Sequence, residues 1–192
     1  MPELELPDPE ELEERGNRTF SRRVALTTAL YAVTLAIAAL GGNNAMKEML
    51  LAQQLSSDQW AFYQAKVIRE HLYRSQKLVL EASLAEGGRG GERLAALAQK
   101  FAEEEKRYNA EKKDIEREAK KLEHERDVNR DRDPYFDYAE VLLQIAIVCA
   151  SISILSTSRP IFWFSLVLAI IGAGLTVNGF TLWAKLPFLH GH

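Results

Sequence analysis

Three stretches without any charged residue constrain this chain more than any other feature of its sequence. They cover residues 24–46, 141–158 and 160–184. A bilayer core requires about 20 helical residues, and a helix at the surface of a soluble core would also carry a polar face. The sequence therefore predicts an all-α integral membrane protein with three transmembrane helices, at 24–42, 138–157 and 160–184.

Overall charge and cysteine content exclude two other classes of protein. The chain carries 24 basic and 27 acidic residues, so it lacks the basic excess that is typical of nucleic-acid-binding proteins, and we expect no nucleic-acid partner. Its single cysteine, Cys149, excludes an intrachain disulfide framework.

The first apolar stretch has a competing interpretation as a cleaved signal peptide. Ala36-Ile37-Ala38 resembles a signal-peptidase site. The preceding residues, 1–23, contain seven acidic groups and four arginines, which is long and acidic for the region before a signal sequence. The sequence therefore favours a retained span that follows an acidic N-terminal tail at 1–23.

Small residues recur within the first and third spans. Those of the first span are spaced by alternating steps of four and three residues, and those of the third are glycines. They are Ala25, Ala29, Ala32, Ala36 and Ala39 in the first span, and Gly172, Gly174 and Gly179 in the third. This spacing predicts a face on which helix backbones pack closely; the alternative is that the alanines face lipid.

Residues 43–137 are predicted to form a long antiparallel helical hairpin, coiled-coil-like in its packing, between the first and second spans. Strong helix formers predict two arms of roughly 66 and 63 Å, and a glycine-rich turn at 87–91 joins them. Asp133-Pro134 predicts the end of the second arm, because proline disfavours helix at the residue before it. The last residues, 185–192, form a tail.

The second arm has only one apolar residue per heptad, which is too little for a coiled coil of its own. It is therefore expected to pack on a wider apolar row of the first arm: Met46, Met49, Leu50, Leu55, Trp60, Phe62, Tyr63, Val67, Leu72, Leu78, Val79 and Leu84. Folding at Arg89 predicts contacts between residues whose numbers add up to about 178. The pairs expected to meet are Tyr63 with Ile115, Leu55 with Leu122, and Leu78 with Phe101.

The first arm also carries a dense aromatic cluster at Trp60, Phe62 and Tyr63. Neighbouring residues of a helix point about 100° apart, so the three side chains cannot all face one seam. At least one of them faces solvent or another subunit. We expect a contact between subunits here; the alternative is an ordinary surface aromatic residue.

This cluster belongs to a longer motif, followed by His71-Leu72-Tyr73. The motif is Ser57-Asp58-Gln59-Trp60-Ala61-Phe62-Tyr63-Gln64-Ala65-Lys66. It resembles the central motif of a bacterial family of small membrane proteins that is catalogued only as a domain of unknown function. The resemblance implies one span, a charged helical stretch and a terminal pair of spans in a bacterial inner membrane, and it implies no activity.

Arginines near the spans predict the orientation. Arg15, Arg18, Arg22 and Arg23 precede the first span, and Arg159 in the short second loop lies on the same side. The long loop at 43–137 counts little in the positive-inside rule. The N-terminus is therefore expected in the cytoplasm and the hairpin in the periplasm.

Patterns that carry enzyme chemistry are missing from the sequence. It has no nucleophile elbow, phosphate loop or dinucleotide-binding glycine pattern, and His190 and His192 have no third metal ligand placed near them. We therefore predict no enzyme, no catalytic residue, no cofactor and no metal. The intramembrane polar residues Gln144 and Asn178 are expected to bond between helices, or alternatively to line a pore.

These observations favour a membrane-anchored, self-associating helical-hairpin scaffold or interaction protein. Its partners would be the lipid bilayer, further copies of the same chain and a protein bound at the hairpin. The alternative function is an oligomeric channel or transport component in which Gln144 and Asn178 line the pore.

Overall fold

A computed structural model describes residues 9–85 and 91–184, with side chains from residue 16 onward, and every element in these ranges is a helix. The helices are α1 (Pro9–Ala85), α2 (Gly91–Ser156) and α3 (Arg159–Thr181). All three are long and apolar enough to cross a membrane, and each contains an 18-residue window with a mean hydropathy of 2.0 or 2.1. The predicted all-α class and the number of apolar helices are confirmed.

Two predicted segments fall partly or wholly outside the described residues. Gly91 of the predicted glycine turn is the first residue of α2, and the other residues of that turn lie outside the described ranges. The predicted tail at 185–192, with His190 and His192, also lies outside them. Residues 9–23, predicted as part of an acidic tail, belong to α1.

The prediction that the second arm ends at Asp133-Pro134 is wrong, because α2 continues through Pro134 to Ser156. Proline costs the helix one backbone hydrogen bond, but among the residues that the structure describes, the two that follow it are the most deeply buried aromatic residues. Tyr135 and Phe136 have almost no exposed surface. Burial of these two rings offsets the local preference for a helix end.

The chain divides into two compact units, which we call the apolar unit (residues 1–47 and 129–192) and the hairpin unit (residues 48–128). In the apolar unit, parts of all three helices share one core. Its buried members are Val24, Tyr31, Ala38, Ala139, Leu143, Ala146, Ala150 and Ala169. Most of them are alanines, which lets the helices approach closely.

Phe136 of α2 is a large buried side chain that contacts both α1 and α3 in this unit. Its ring lies edge-on to Phe180, with 4.9 Å between centroids. A Cβ placed on Gly41 or Gly179 would lie 2.5 or 2.9 Å from the ring. Only glycine at these two positions leaves room for the ring.

The antiparallel pairing of the second and third spans is confirmed. Leu143 lies against Gly172 and Phe136 lies against Gly179, so the numbers rise along one helix as they fall along the other. The connection is short, since α2 ends at Ser156 and α3 begins at Arg159. Of the three glycines predicted to pack, Gly172 and Gly179 do, whereas Gly174 faces open space.

The alanine stripe of the first span is not a packing face within the chain. Of its alanines, Ala25, Ala29, Ala32 and Ala36 are exposed. The buried side of α1 is instead formed by Val24, Thr28, Tyr31, Leu35, Ala38, Gly42 and Ala45. Any close packing on the alanine stripe therefore requires lipid or another chain, and its role between subunits stays a prediction.

Gly179→Ala is expected to destabilise the apolar unit by about 1–3 kcal/mol, because the added methyl group meets the buried Phe136 ring. Gly174→Ala is the matched control on the same helix, since nothing lies within 4 Å of its added Cβ. Thermal unfolding of the detergent-solubilised protein, followed by circular dichroism, measures both. Equal melting temperatures for the two variants would contradict the packing described around Phe136.

Candidate interaction surface

The two arms of the hairpin unit meet along a seam whose residues recur at alternating steps of four and three. On α1 these are Met49, Ala52, Ser56, Gln59, Tyr63, Lys66, Glu70, Tyr73, Lys77, Leu80 and Leu84. On α2 they are Leu94, Ala98, Phe101, Glu105, Tyr108, Lys112, Ile115, Ala119, Leu122 and Arg126. Every one of them is buried or half-buried, as expected for a coiled-coil seam.

The middle of the seam is aromatic. Tyr73 of α1 stacks on Tyr108 of α2, with 5.6 Å between ring centroids and an angle of 12°. It also lies 5.6 Å from the Phe101 ring. Lys66 places its Nζ 5.1 Å from the centre of the Tyr108 ring, within the range of a cation–π contact.

Oppositely charged residues pair across the same seam. Lys112 Nζ lies 2.5 Å from Glu70 Oε2, and Lys77 Nζ lies 2.8 Å from Glu105 Oε2. Farther along, Lys66 Nζ donates to Glu111 Oε2 at 2.5 Å. Charged groups in a helix seam are tolerated when they are paired in this way, and they fix which residues face each other.

Glu70 is the most completely enclosed of these charged residues, with only 7% of its surface exposed. Burial raises the pKa of its carboxyl. Hydrogen bonds from Lys112 and Asn109, together with the charge of Lys112, lower this pKa by more than burial raises it. The net effect is a pKa below the usual value. The ionised carboxylate is therefore the form that the folded hairpin stabilises.

Cross-arm contacts confirm the predicted register. Their residue numbers add up to between 174 and 183, on either side of the predicted 178. These contacts include Gln53 with Arg126, Trp60 with Glu123, Lys66 with Glu111, Arg74 with Glu105, and Tyr73 with Phe101. Two of the predicted pairs are wrong: Phe101 lies against Tyr73 while Leu78 is exposed, and Leu55, predicted to meet Leu122, is exposed as well.

The prediction that the wide apolar row of the first arm packs on the second arm is also wrong for most of its members. More than half of the twelve are exposed, namely Met46, Leu50, Leu55, Phe62, Leu72, Leu78 and Val79. The heptad spacing places them on other faces of α1, and tyrosines, small residues and paired charges occupy the seam in their place.

Within the aromatic cluster, the three side chains separate as the helix geometry requires. Trp60 donates its Nε1 proton to Glu123 Oε1 at 2.9 Å and packs edge-on against Tyr63. Phe62 instead faces outward, about half exposed, with Lys66 Nζ 5.0 Å from its ring centre. Of the three, Phe62 is therefore the residue available to another subunit, and such a contact stays a prediction.

A second row of seven uncharged residues follows the opposite side of α1, again at alternating steps of four and three. We call it the outer stripe: Ala61, Ala65, Ile68, Leu72, Ser75, Val79 and Ala82. All seven are exposed, and Ile68 is 68% exposed. The stripe has the same alternating spacing as the seam, and two of its large apolar residues, Leu72 and Val79, were predicted to lie in the seam.

The corresponding outer side of α2 has the opposite chemistry. Its exposed residues at the same spacing are Lys100, Glu103, Arg107, Ala110, Asp114, Arg117, Lys121 and His124. Six of these eight are charged at neutral pH, so this side suits solvent. The hairpin unit therefore has one apolar outer side and one charged outer side.

The structure does not bring together Gln144 and Asn178, the two polar residues predicted to lie within the membrane. Asn178 closes the end of α3: its Nδ2 donates to the Ala184 carbonyl at 2.8 Å, its Oδ1 accepts from the Ala184 amide at 2.9 Å, and its backbone carbonyl accepts from Leu182. Gln144 is exposed on α2. Among the described residues, no group of three or more His, Cys, Asp or Glu side chains is placed to hold a metal ion.

Comparison with known proteins gives one finding. A family model described as "Domain of unknown function (DUF4337)" matches residues 20–182, which includes all of the hairpin unit and the three apolar stretches almost completely. No curated protein and no solved structure matches the chain.

Glu70→Gln is expected to lower the stability of the hairpin by about 1–3 kcal/mol at neutral pH, because it leaves Lys112 half-buried without its charged partner. Because the pKa of Glu70 is lowered in the folded state, its contribution is present above the unfolded pKa of about 4.3 and is lost as the pH falls through the folded value. Chemical unfolding at neutral and acidic pH measures both effects.

Glu118→Gln is the control for this comparison, since Glu118 is exposed on α2. It should leave the neutral-pH stability and the acid-induced loss unchanged. The assignment fails if wild type and Glu70→Gln lose the same amount of stability on acidification.

The register can be tested by crosslinking in a Cys149→Ser background. Tyr63→Cys combined with Ile115→Cys is expected to form a disulfide within one chain, because both residues lie in the seam at the predicted register. Leu78→Cys combined with Phe101→Cys is the control and should stay reduced. Mobility on non-reducing gels distinguishes the two, and crosslinking of the control pair alone would contradict the register.

Proposed function

The chain belongs to the DUF4337 family, and we propose that it serves as a membrane-anchored scaffold whose helical hairpins self-associate through the outer stripe of α1. The three apolar helices support the membrane anchor, because each is long enough to cross a bilayer core. The hairpin supplies the interaction surface.

The observation that carries this proposal is the difference between the two outer sides of the hairpin. Eight of the nine large apolar residues exposed in the hairpin unit lie on α1, and the ninth, Leu97, lies on α2. Three of these eight, Ile68, Leu72 and Val79, belong to the outer stripe, and an exposed apolar row is typical of an interaction site. A partner that covers the outer side of α1 would bury its apolar residues and leave the charged residues of α2 in solvent.

A second copy of this chain is the occupant that best fits the outer stripe. The stripe repeats at the spacing of a two-stranded coiled coil, with Ile68 and Leu72 at its centre and alanines at both ends. Copies inserted in one membrane in the same orientation present their α1 helices parallel to one another. In a parallel pair each core position meets its own counterpart, so Leu72 meets Leu72 and no charged residue enters the seam.

We further propose that the protein lies in a bacterial inner membrane, with the N-terminus in the cytoplasm and the hairpin in the periplasm. The arginines at 15–23 and Arg159 support this orientation through the positive-inside rule. Outward-facing Phe62 and the exposed alanines of the first span are available to extend the contact between copies.

The observations favour the scaffold over a channel. Asn178 uses its side-chain amide to close the end of α3, which gives this polar group a structural partner within its own chain. Gln144 is exposed elsewhere on α2. Gln144 and Asn178, the two residues that would line a pore, therefore do not form one site within the chain.

Ile68→Glu combined with Leu72→Glu is expected to reduce the particle to a single chain of 21.7 kDa plus bound detergent. Both residues are exposed, so the hairpin keeps its helicity, whereas burial of four carboxylates between two copies opposes association. Light scattering after size-exclusion chromatography measures the protein mass in detergent.

Ala110→Glu on the charged outer side of α2 is the control and should keep the wild-type mass. In a Cys149→Ser background, Leu72→Cys is expected to form a disulfide between two copies and Ala110→Cys is not. A wild-type particle containing one chain, or an unchanged mass in the double glutamate variant, would overturn the proposal.

A further inference from the structure

A cavity of about 480 Å³ lies in the apolar unit, where the start of α1 meets the start of α3. Gly16, Thr19, Phe20 and Arg23 line it from α1, and Arg159 lines it from α3. Two guanidinium groups from separate elements thus border one space. Within the described part of the chain no carboxylate lines it.

The two arginines stand at the boundary between charged and apolar sequence. Arg23 is the last charged residue before the uncharged stretch at 24–46, and Arg159 is the only charged residue between positions 141 and 184. Trp163, one turn after Arg159, is largely exposed, and indole rings favour the headgroup level of a bilayer. If the spans cross a membrane, as proposed above, the cavity opens at headgroup depth.

Aromatic packing holds the walls of the cavity together. The Phe20 and Phe162 rings meet edge-on, with 5.9 Å between their centroids, which joins α1 to α3 beside the two arginines. Gly16 leaves its side open, since nothing lies within 4 Å of an added Cβ. The cavity therefore has two arginines, an aromatic wall and an open side.

We propose that this cavity binds the phosphate group of an anionic phospholipid, with Arg23 and Arg159 as its ligands. Guanidinium groups form bidentate, charge-assisted hydrogen bonds with phosphate oxygens, and basic pockets between membrane helices on the cytoplasmic side suit anionic headgroups. The Phe20 ring offers apolar surface to the glycerol and upper acyl region. This inference rests on the membrane anchor of the proposed function and is independent of self-association.

Lipid titration of the full-length protein in neutral detergent tests the site. Native mass spectrometry and melting temperature are recorded as phosphatidylglycerol, phosphatidylcholine or inorganic phosphate is added. Wild type is expected to retain phosphatidylglycerol and to melt at a higher temperature with it, with little response to the other two. Arg23→Gln and Arg159→Gln should each weaken phosphatidylglycerol binding about tenfold, or ~1.4 kcal/mol.

Arg22→Gln is the matched control. Arg22 is exposed on the same helix and does not line the cavity, so its substitution removes the same charge without changing the cavity lining. It should bind as wild type does. Arg159→Lys, which keeps the charge but loses the planar fork, should bind at an intermediate strength.

Three results would overturn the inference: no preference of wild type for phosphatidylglycerol over phosphatidylcholine, an equal loss in Arg22→Gln, or a full response to inorganic phosphate alone, which would indicate a site for the free ion. The wild-type titration alone tests whether the protein prefers phosphatidylglycerol, even where a variant folds poorly. The particle mass is measured in parallel, so a failure of self-association and a failure of lipid binding are told apart.

Discussion

Both packed units depend on side chains that recur along a helix at alternating steps of four and three residues. Every residue at these steps is buried or half-buried, from Val24 to Leu84 on α1 and from Leu94 to Ile154 on α2. Such spacing keeps one line of residues against a neighbouring helix, because two steps nearly match two helical turns. The geometry stays constant while the chemistry along it changes from alanine and glycine to tyrosine, lysine and glutamate.

That change in chemistry suits the two surroundings that the sequence predicts. Between apolar helices in lipid, burial of apolar surface contributes little to association, and close approach of backbones matters more. The alanine core and the glycines around Phe136 provide such an approach. In the hairpin, water surrounds the arms, and stacked aromatic residues such as Tyr73 and Tyr108 bury more surface for each contact.

Sequence alone predicted the three apolar helices, the antiparallel pairing of α2 and α3, and the register of the hairpin, because these follow from hydropathy, a short connection and one glycine-rich segment. It could not show which face of an apolar helix packs. In a predicted span, the buried side and the outward side are both apolar, so the spacing of the alanine stripe at Ala25 and Ala32 does not show whether it packs within the chain, where it is exposed, or between copies.

Two predictions were wrong because they relied on the conformational preference of one residue or on residue type alone. Pro134 predicted a helix end, but the packing of Tyr135 and Phe136 outweighs it. Leucines of the first arm were assigned to the hairpin seam, whereas the seam uses groups that compensate each other in pairs, such as Glu70 with Lys112. Pairing across a seam depends on two distant positions at once, and a count of apolar residues along one arm does not reveal it.

The order of the charges in the seam also protects the hairpin against slippage. Glu70 faces Lys112 and Lys77 faces Glu105. A slip of one heptad in one direction would set Glu70 opposite Glu105, and a slip in the other direction would set Lys77 opposite Lys112. Each misaligned state replaces an attraction with a repulsion of like charges, which costs several kcal/mol at a close contact, so a seam that is poor in apolar residues still holds a single alignment of its arms.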